Sequence, residues 1–390
     1  MTRRAEPVSA VQTGETAGVL TIDLDALAAN WRLLRDRMGR PEAGRACAAV
    51  VKADGYGLGA APVARRLAAE GCATFFVAHA GEGVALRELL PEAEIFVLHG
   101  PLPGTAGLLA RHRLAPCLND TEQVRAWLEQ CAEAGPMPAA LHVDTGMTRL
   151  GLDPEDLDAL DLAAVNSLPG LLLMSHLACA DEPDHPLNRR QLAAFAEIRP
   201  RFPAARASLA NSSGLFLGAD CRFDLGRPGY ALYGGNPTPA AGANPMRPVV
   251  RLQAPVLQVR EIRERRTVGY GATAGTAPPA RIATLAAGYA DGYLRTASNR
   301  GSAFIDGHAC PVTGRVSMDL LTVDVTEAMR KGSDIHPGVL MDLIDARHSI
   351  DDVAANAGTI GYEILTGLGS RYRRRYTGEV ETARPARGGG

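Results

Sequence analysis

Ala48-Ala-Val-Val-Lys52-Ala-Asp-Gly-Tyr56-Gly-Leu-Gly59 is a short apolar run that ends in a lysine and then a glycine-rich turn. An unbroken run of this length reads as a strand buried on both faces, as parallel strands are. The same texture recurs at residues 74–77, 95–98, 114–117, 140–143, 170–174, 207–209 and 223–225, with room for one helix in most intervals. Helical spacing of Leu24, Leu27, Trp31 and Leu34 places a helix before the first of these runs. Eight strand–helix units in succession predict an α/β fold, a (β/α)8 TIM-type barrel over residues 18–245. An open doubly wound sheet is the structural rival. No GxGxxG follows the first strand, which speaks against dinucleotide binding.

Beyond residue 246 the texture changes. Residues 249–259 alternate partially, residues 303–310 carry an Asp-Gly hairpin signal, and residues 320–325 read as a further strand. A mostly β C-terminal domain over residues 246–380 is expected. The tails at 1–17 and 381–390 are expected to be disordered.

A net charge of −2 provides no electrostatic attraction for nucleic acid or an anionic membrane. No apolar stretch is long enough to span a bilayer, and the N-terminal residues lack the apolar core of a signal peptide. Seven widely spaced cysteines without a CxxC pair fit reduced thiols in a cytoplasm. Basic positions are almost all arginine; of 41 Lys and Arg residues, only Lys52 and Lys331 are lysine. Arginine replaces lysine as a surface charge, but not where an amine must lose its proton and attack a carbonyl. At a strand end Lys52 is either a snorkelling side chain or such an amine.

Catalytic groups of a barrel gather at the C-terminal ends of its strands. Read in order, those ends are Lys52 with Tyr56, then His142-Val-Asp-Thr-Gly-Met-Thr-Arg149, His176, Asn211-Ser212-Ser213, and Gly226-Arg-Pro-Gly-Tyr230. Singly, each has an ordinary reading: a hydrogen-bonded core histidine, an arginine stabilising a turn, a helix N-cap. Jointly they meet the demands of pyridoxal 5′-phosphate. Ser212 and the amides near Gly229 suit a phosphate, His176 an aromatic ring, and Lys52 an imine. No metal-ligand pattern is present.

From Thr21 to Tyr376 the chain resembles the alanine racemases, pyridoxal-phosphate enzymes of fold type III. The segments that carry the resemblance are Val51–Gly57, Asp144–Gly151, Arg227–Gly234, Gly288-Tyr-Ala-Asp-Gly292 and Gly314-Arg-Val-Ser-Met-Asp319. It implies that Lys52 holds the cofactor and is one catalytic base, and that Tyr289 is the second. It assigns Arg149 and Met318 to the substrate. His176, Arg227 and the phosphate-binding set Tyr56, Ser212, Gly229, Tyr230 and Tyr362 go to the cofactor. It also implies a homodimer whose active sites are shared between subunits, and D-alanine production for peptidoglycan. Arg227 can only donate to the ring nitrogen, which disfavours transamination.

Two positions depart from the family pattern. His142 stands where many members carry a carbamylated lysine, so no carbamate forms there. Ser317 stands where a cysteine is common. A racemase of serine or of several small amino acids is the alternative on this scaffold. A decarboxylase of basic amino acids is a more distant one, disfavoured by Arg227 and the Gly-Tyr-Ala-Asp-Gly segment.

Overall fold

The computed structural model describes residues 18–39 and 44–378. The tails expected to be disordered therefore lie outside the described residues. The described residues divide into two compact units, one from Leu24 to Val249 and the other from residues 18–23 together with Val250–Thr377.

In the Leu24–Val249 unit, the eight expected apolar runs are eight strands. The first is in two pieces, Ala46–Cys47 and Ala49–Val50. It is followed by Thr74–Val77, Glu94–Val97, Ala115–Leu118, Ala140–His142, Leu172–Met174 and Arg206–Ser208, each parallel to its predecessor. The eighth, Leu225–Gly226, runs parallel to Ala46–Cys47. Ala48 N–H donates to Gly226 O at 2.9 Å, and Asp224 N–H donates to Ala207 O at 2.9 Å. The eighth strand is thereby bonded on both sides and the sheet closes on itself.

Parallel neighbours need a crossover at every step, and helices such as Ala60–Ala69, Ala80–Leu89, Thr121–Ala134 and Pro186–Ile198 supply it. Because helices cover the outside and side chains fill the inside, strand residues such as Phe75, Phe76, Phe96 and Val97 are all buried. The Phe76 and Phe96 rings stack at 4.9 Å. The helix Thr121–Ala134 starts where Asp120 Oδ1 accepts Gln123 N–H at 2.8 Å, and it buries Val124 and Trp127 three residues apart.

The other unit is mostly β. Val19–Asp23, which the sequence reading places with the barrel, pairs antiparallel with Val250–Ile262 and parallel with Arg373–Thr377. Alternation decides this: Leu20 and Ile22 are buried while Val19, Thr21 and Asp23 are partly exposed, the pattern of a sheet with one covered face. Val250–Ile262 also pairs with Leu340–Ile344 and Ala280–Leu285, and the latter with Leu321–Asp324. Ser302–Ile305 and His308–Pro311 form the expected hairpin. Its central residues Asp306 and Gly307 have φ of 49° and 82°, the left-handed pair that a two-residue turn requires.

Candidate active site

Lys52 follows the first barrel strand and is partly buried. Burial lowers its pKa, and the Arg149 charge lowers it further, while Glu82 opposes both. More of the amine is therefore unprotonated near neutral pH than in a free lysine.

Tyr56, four residues on, stacks on Tyr233 at 4.6 Å, and Tyr233 Oη donates to Val50 O at 3.0 Å. The Tyr56 hydroxyl lies against Gly229: a Cβ built there would be 2.1 Å from Tyr56 Oη. Gly229 is thus a glycine because the phenol occupies the side-chain space. Ser212 Oγ accepts from the Gly229 and Ala231 amides at 3.0 and 3.2 Å. Tyr56, Ser212 and Gly229 therefore converge, with Tyr230 buried at the start of the following 3-10 turn. The Ser212 hydroxyl hydrogen, left to donate once its oxygen has accepted both amides, and the nearby phenol make a cradle of the kind that takes a phosphate. Asn211 has the capping role its position suggests, accepting Gly214 N–H at 2.9 Å.

Arg227 is 4% exposed. Its two terminal nitrogens donate to Ser175 O and Ser208 Oγ, both neutral acceptors. No carboxylate pairs with it among the described residues, and burial lowers its pKa to about 10. A buried cation with only neutral partners is costly unless an anion or a strong acceptor joins it. His176 is held neutral. Burial is the main cause, and the charges of Arg227, Arg149 and Lys52 add to it, as does nearby His142.

His142 ends the fifth strand and is buried. Asn119 Nδ2 donates to Leu98 O at 3.1 Å and Cys117 O at 2.9 Å, which fixes the orientation of its amide. Its Oδ1, 2.8 Å from His142 Nδ1, is then an acceptor, so Nδ1 carries the hydrogen and Nε2 keeps its lone pair. Burial, Arg227 and Arg149 push the His142 pKa down to about 4 against Asp144. At this position the chain holds a neutral imidazole.

The loop to Arg149 is organised by Asp144, whose carboxylate accepts the amides of Gly146, Met147 and Thr148, each at 2.8 Å. Arg149 itself is exposed. Gln191 ties the loop to the sixth strand end, donating to His176 O at 2.8 Å and Thr145 Oγ1 at 3.2 Å. Asn119, Ser175, Ser208 and Gln191 were not singled out from sequence. The first three lie at the ends of the fourth, sixth and seventh strands, where the barrel rule directs attention. Gln191 lies on a helix and left no such signal.

Tyr289, Met318 and Tyr362 lie in the other unit. Tyr289 N–H donates to Ser317 O at 3.0 Å and Ala290 N–H to Met318 O at 2.9 Å, which binds the two segments together. Asp291 is fully buried under the turn and accepts Gly288 N–H at 2.9 Å. Arg371 Nε lies 3.1 Å from Asp291 Oδ1, an ion pair not aligned as a hydrogen bond, and its Nη1 donates to Asp319 at 2.7 Å. The side chains of Tyr289, Met318 and Tyr362 are all exposed, at 41%, 55% and 41%.

Two family models match nearly end to end. Residues 22–237 match the alanine racemase N-terminal domain and residues 249–376 the alanine racemase C-terminal domain. An alanine racemase of Rhodospirillum rubrum is 52% identical over 367 residues, spanning 93% of this chain and 96% of the relative. One of Acidiphilium cryptum is 52% identical over 358 residues, spanning 91% and 97%. A crystal structure of alanine racemase from Bartonella henselae with covalently bound pyridoxal phosphate superposes with a TM-score of 0.86 at 38% identity, covering 93% of this chain and 99% of the other. The chain belongs to the alanine racemase family.

Proposed function

We propose that this protein interconverts L- and D-alanine using pyridoxal 5′-phosphate attached to Lys52, and that it works as a cytoplasmic homodimer supplying D-alanine for peptidoglycan. The observation that carries the reading is Arg227, a buried cation with neutral partners at the same barrel mouth as a lysine of lowered pKa. The Ser212–Gly229–Ala231 cradle fits the phosphate, and the cluster of Lys52, Arg149 and Arg227 fits the cofactor's negative charge. The bound cofactor supplies an aldehyde for attachment and a conjugated ring that accepts the electron pair left when Cα loses its proton.

The chain's own residues supply the rest. Arg227 would donate to the ring nitrogen and, as a guanidinium that keeps its protons, would leave that nitrogen unprotonated. Neutral His176 would pack against the ring. Arg149 binds the substrate carboxylate, and Met318 contributes its main chain. Lys52 holds or accepts a proton on one face of Cα and Tyr289 on the other; two groups are needed because inversion removes and returns a proton on opposite sides. Tyr362 completes the phosphate set. The exposure of Tyr289, Met318 and Tyr362 supports the view that they act on a second subunit's barrel. Among the described residues no helix is long and apolar enough to cross a membrane.

The test is direct. Reconstituted protein incubated with L-alanine in deuterated water should yield D-alanine, detected with a stereospecific oxidase, and Cα-deuterated alanine. Carbon dioxide release from lysine or ornithine, with no D-alanine formed, would overturn the reading.

A further inference from the structure

The turn after Lys52 is the most unusual backbone in this unit. Ala53, Asp54 and Gly55 have φ/ψ of 54°/49°, 54°/48° and 63°/47°. Tyr56 and Gly57 follow with φ of 56° and 80°. Five consecutive residues are thus left-handed. That conformation costs non-glycine residues roughly 1–2 kcal/mol each, and three of the five carry a Cβ. Such a segment persists only where its surroundings over-determine it.

Asp54 Oδ1 closes the far side by accepting Ala60 N–H at 2.8 Å. The near side is closed from another element. Glu82, in the first turn of the helix Ala80–Leu89, accepts Ala53 N–H at 2.7 Å through Oε1 and Ala78 N–H at 2.7 Å through Oε2. One carboxylate therefore joins the residue after Lys52 to the residue after the second strand. Each backbone donor gains a charged acceptor, the stronger class of hydrogen bond.

We propose that Glu82 is a positioning residue for Lys52: it pins the left-handed turn that directs the amine into the barrel mouth, and it places a negative charge beside that amine. The proposal rests on the reading that Lys52 carries the cofactor. An amide at position 82 could accept one of the two N–H groups but would turn an NH2 toward the other. An aspartate would keep the charge but fall one methylene short of spanning both. The charged and titratable groups around Glu82 are few. His79 accepts Glu82 N–H through Nδ1 at 3.4 Å and has Nε2 3.9 Å from Glu82 Oε1. Asp54, Arg65 and Glu88 share the groove beside it, and its charge acts on the Lys52 amine.

The experiment compares wild type, Glu82→Gln and Glu82→Asp, each reconstituted with pyridoxal phosphate, reduced with borohydride and peptide-mapped. Two further readouts follow on the unreduced proteins: the pH titration of the bound cofactor's absorbance, and amide hydrogen exchange at Ala53 and Ala78. Glu82→Gln should move the proton on the Lys52–cofactor nitrogen to lower pH and speed exchange by tenfold or more at the amide that loses its acceptor, Ala53 or Ala78. Glu82→Asp should leave the titration close to wild type while exchange still accelerates. A Glu82→Gln protein that binds cofactor on Lys52 with wild-type titration and exchange overturns the role of Glu82 alone. A wild-type protein in which Lys52 is not labelled overturns the cofactor reading and this proposal with it.

Discussion

His142 and His176 are two histidines set among cations, and both stay neutral because burial and neighbouring positive charge act in the same direction. This has a consequence for stability. An unfolded histidine titrates near 6.5, whereas His142 in the fold titrates at about 4. Below pH 6.5 the unfolded chain takes up a proton that the folded chain refuses, so stability falls as pH drops from 6.5 toward 4. The shift corresponds to a loss on the order of 3 kcal/mol over that window. Urea midpoints measured at several pH values should show the fall. His142→Gln, which still donates to Asn119 and does not titrate, should remove that share of it. At the same scale, Lys52→Ala should abolish borohydride-fixed cofactor and lower turnover by at least about 1000-fold, the order expected when a covalent attachment and a base are lost together. Tyr289→Phe should retain the bound cofactor and slow Cα exchange more from L-alanine than from D-alanine. Equal slowing in both directions would argue against two bases with separate faces.

At the scale of elements, the cradle depends on the loop after the eighth strand passing close to Tyr56. Gly229→Ala puts a methyl where the phenol lies, so the Tyr56 ring must leave its stack on Tyr233. Cofactor affinity should drop by about tenfold or more, or ~1.4 kcal/mol, while the circular dichroism spectrum stays that of the wild type. Unchanged affinity in an absorbance titration would show that Tyr56 does not contribute to phosphate binding. The elements themselves were readable in advance for a physical reason. Parallel strands buried on both faces leave unbroken apolar runs, and all eight runs became strands. The hairpin at Asp306-Gly307 was readable because its left-handed residues favour an Asp-Gly pair. Val19–Asp23 was misplaced because a strand beside the barrel in sequence says nothing of which sheet it will pair with. Its partners are Val250–Ile262 and Arg373–Thr377, at the far end of the chain.

At the scale of the whole molecule, the proposed shared-site dimer makes a quantitative prediction. Lys52→Ala and Tyr289→Phe proteins, each inactive or impaired alone, should complement when dissociated and reassembled together. If Tyr289 serves the partner's barrel, each hybrid has one intact site, and an equal mixture recovers about a quarter of wild-type activity. If both residues act within one chain, mixing restores nothing. By itself the sequence determined the barrel and the β-rich second unit, and it singled out Lys52 as the candidate amine. Apolar periodicity is a local property, and an amine that must shed its proton cannot be replaced by a guanidinium. The tertiary structure decided how those residues are held. Arg227 rests on Ser175 and Ser208, the proton of His142 is placed by Asn119, and the left-handed turn after Lys52 is closed by Glu82. Each of these partners is brought in from a different strand or helix, so only the closed sheet could show which acceptor meets which donor.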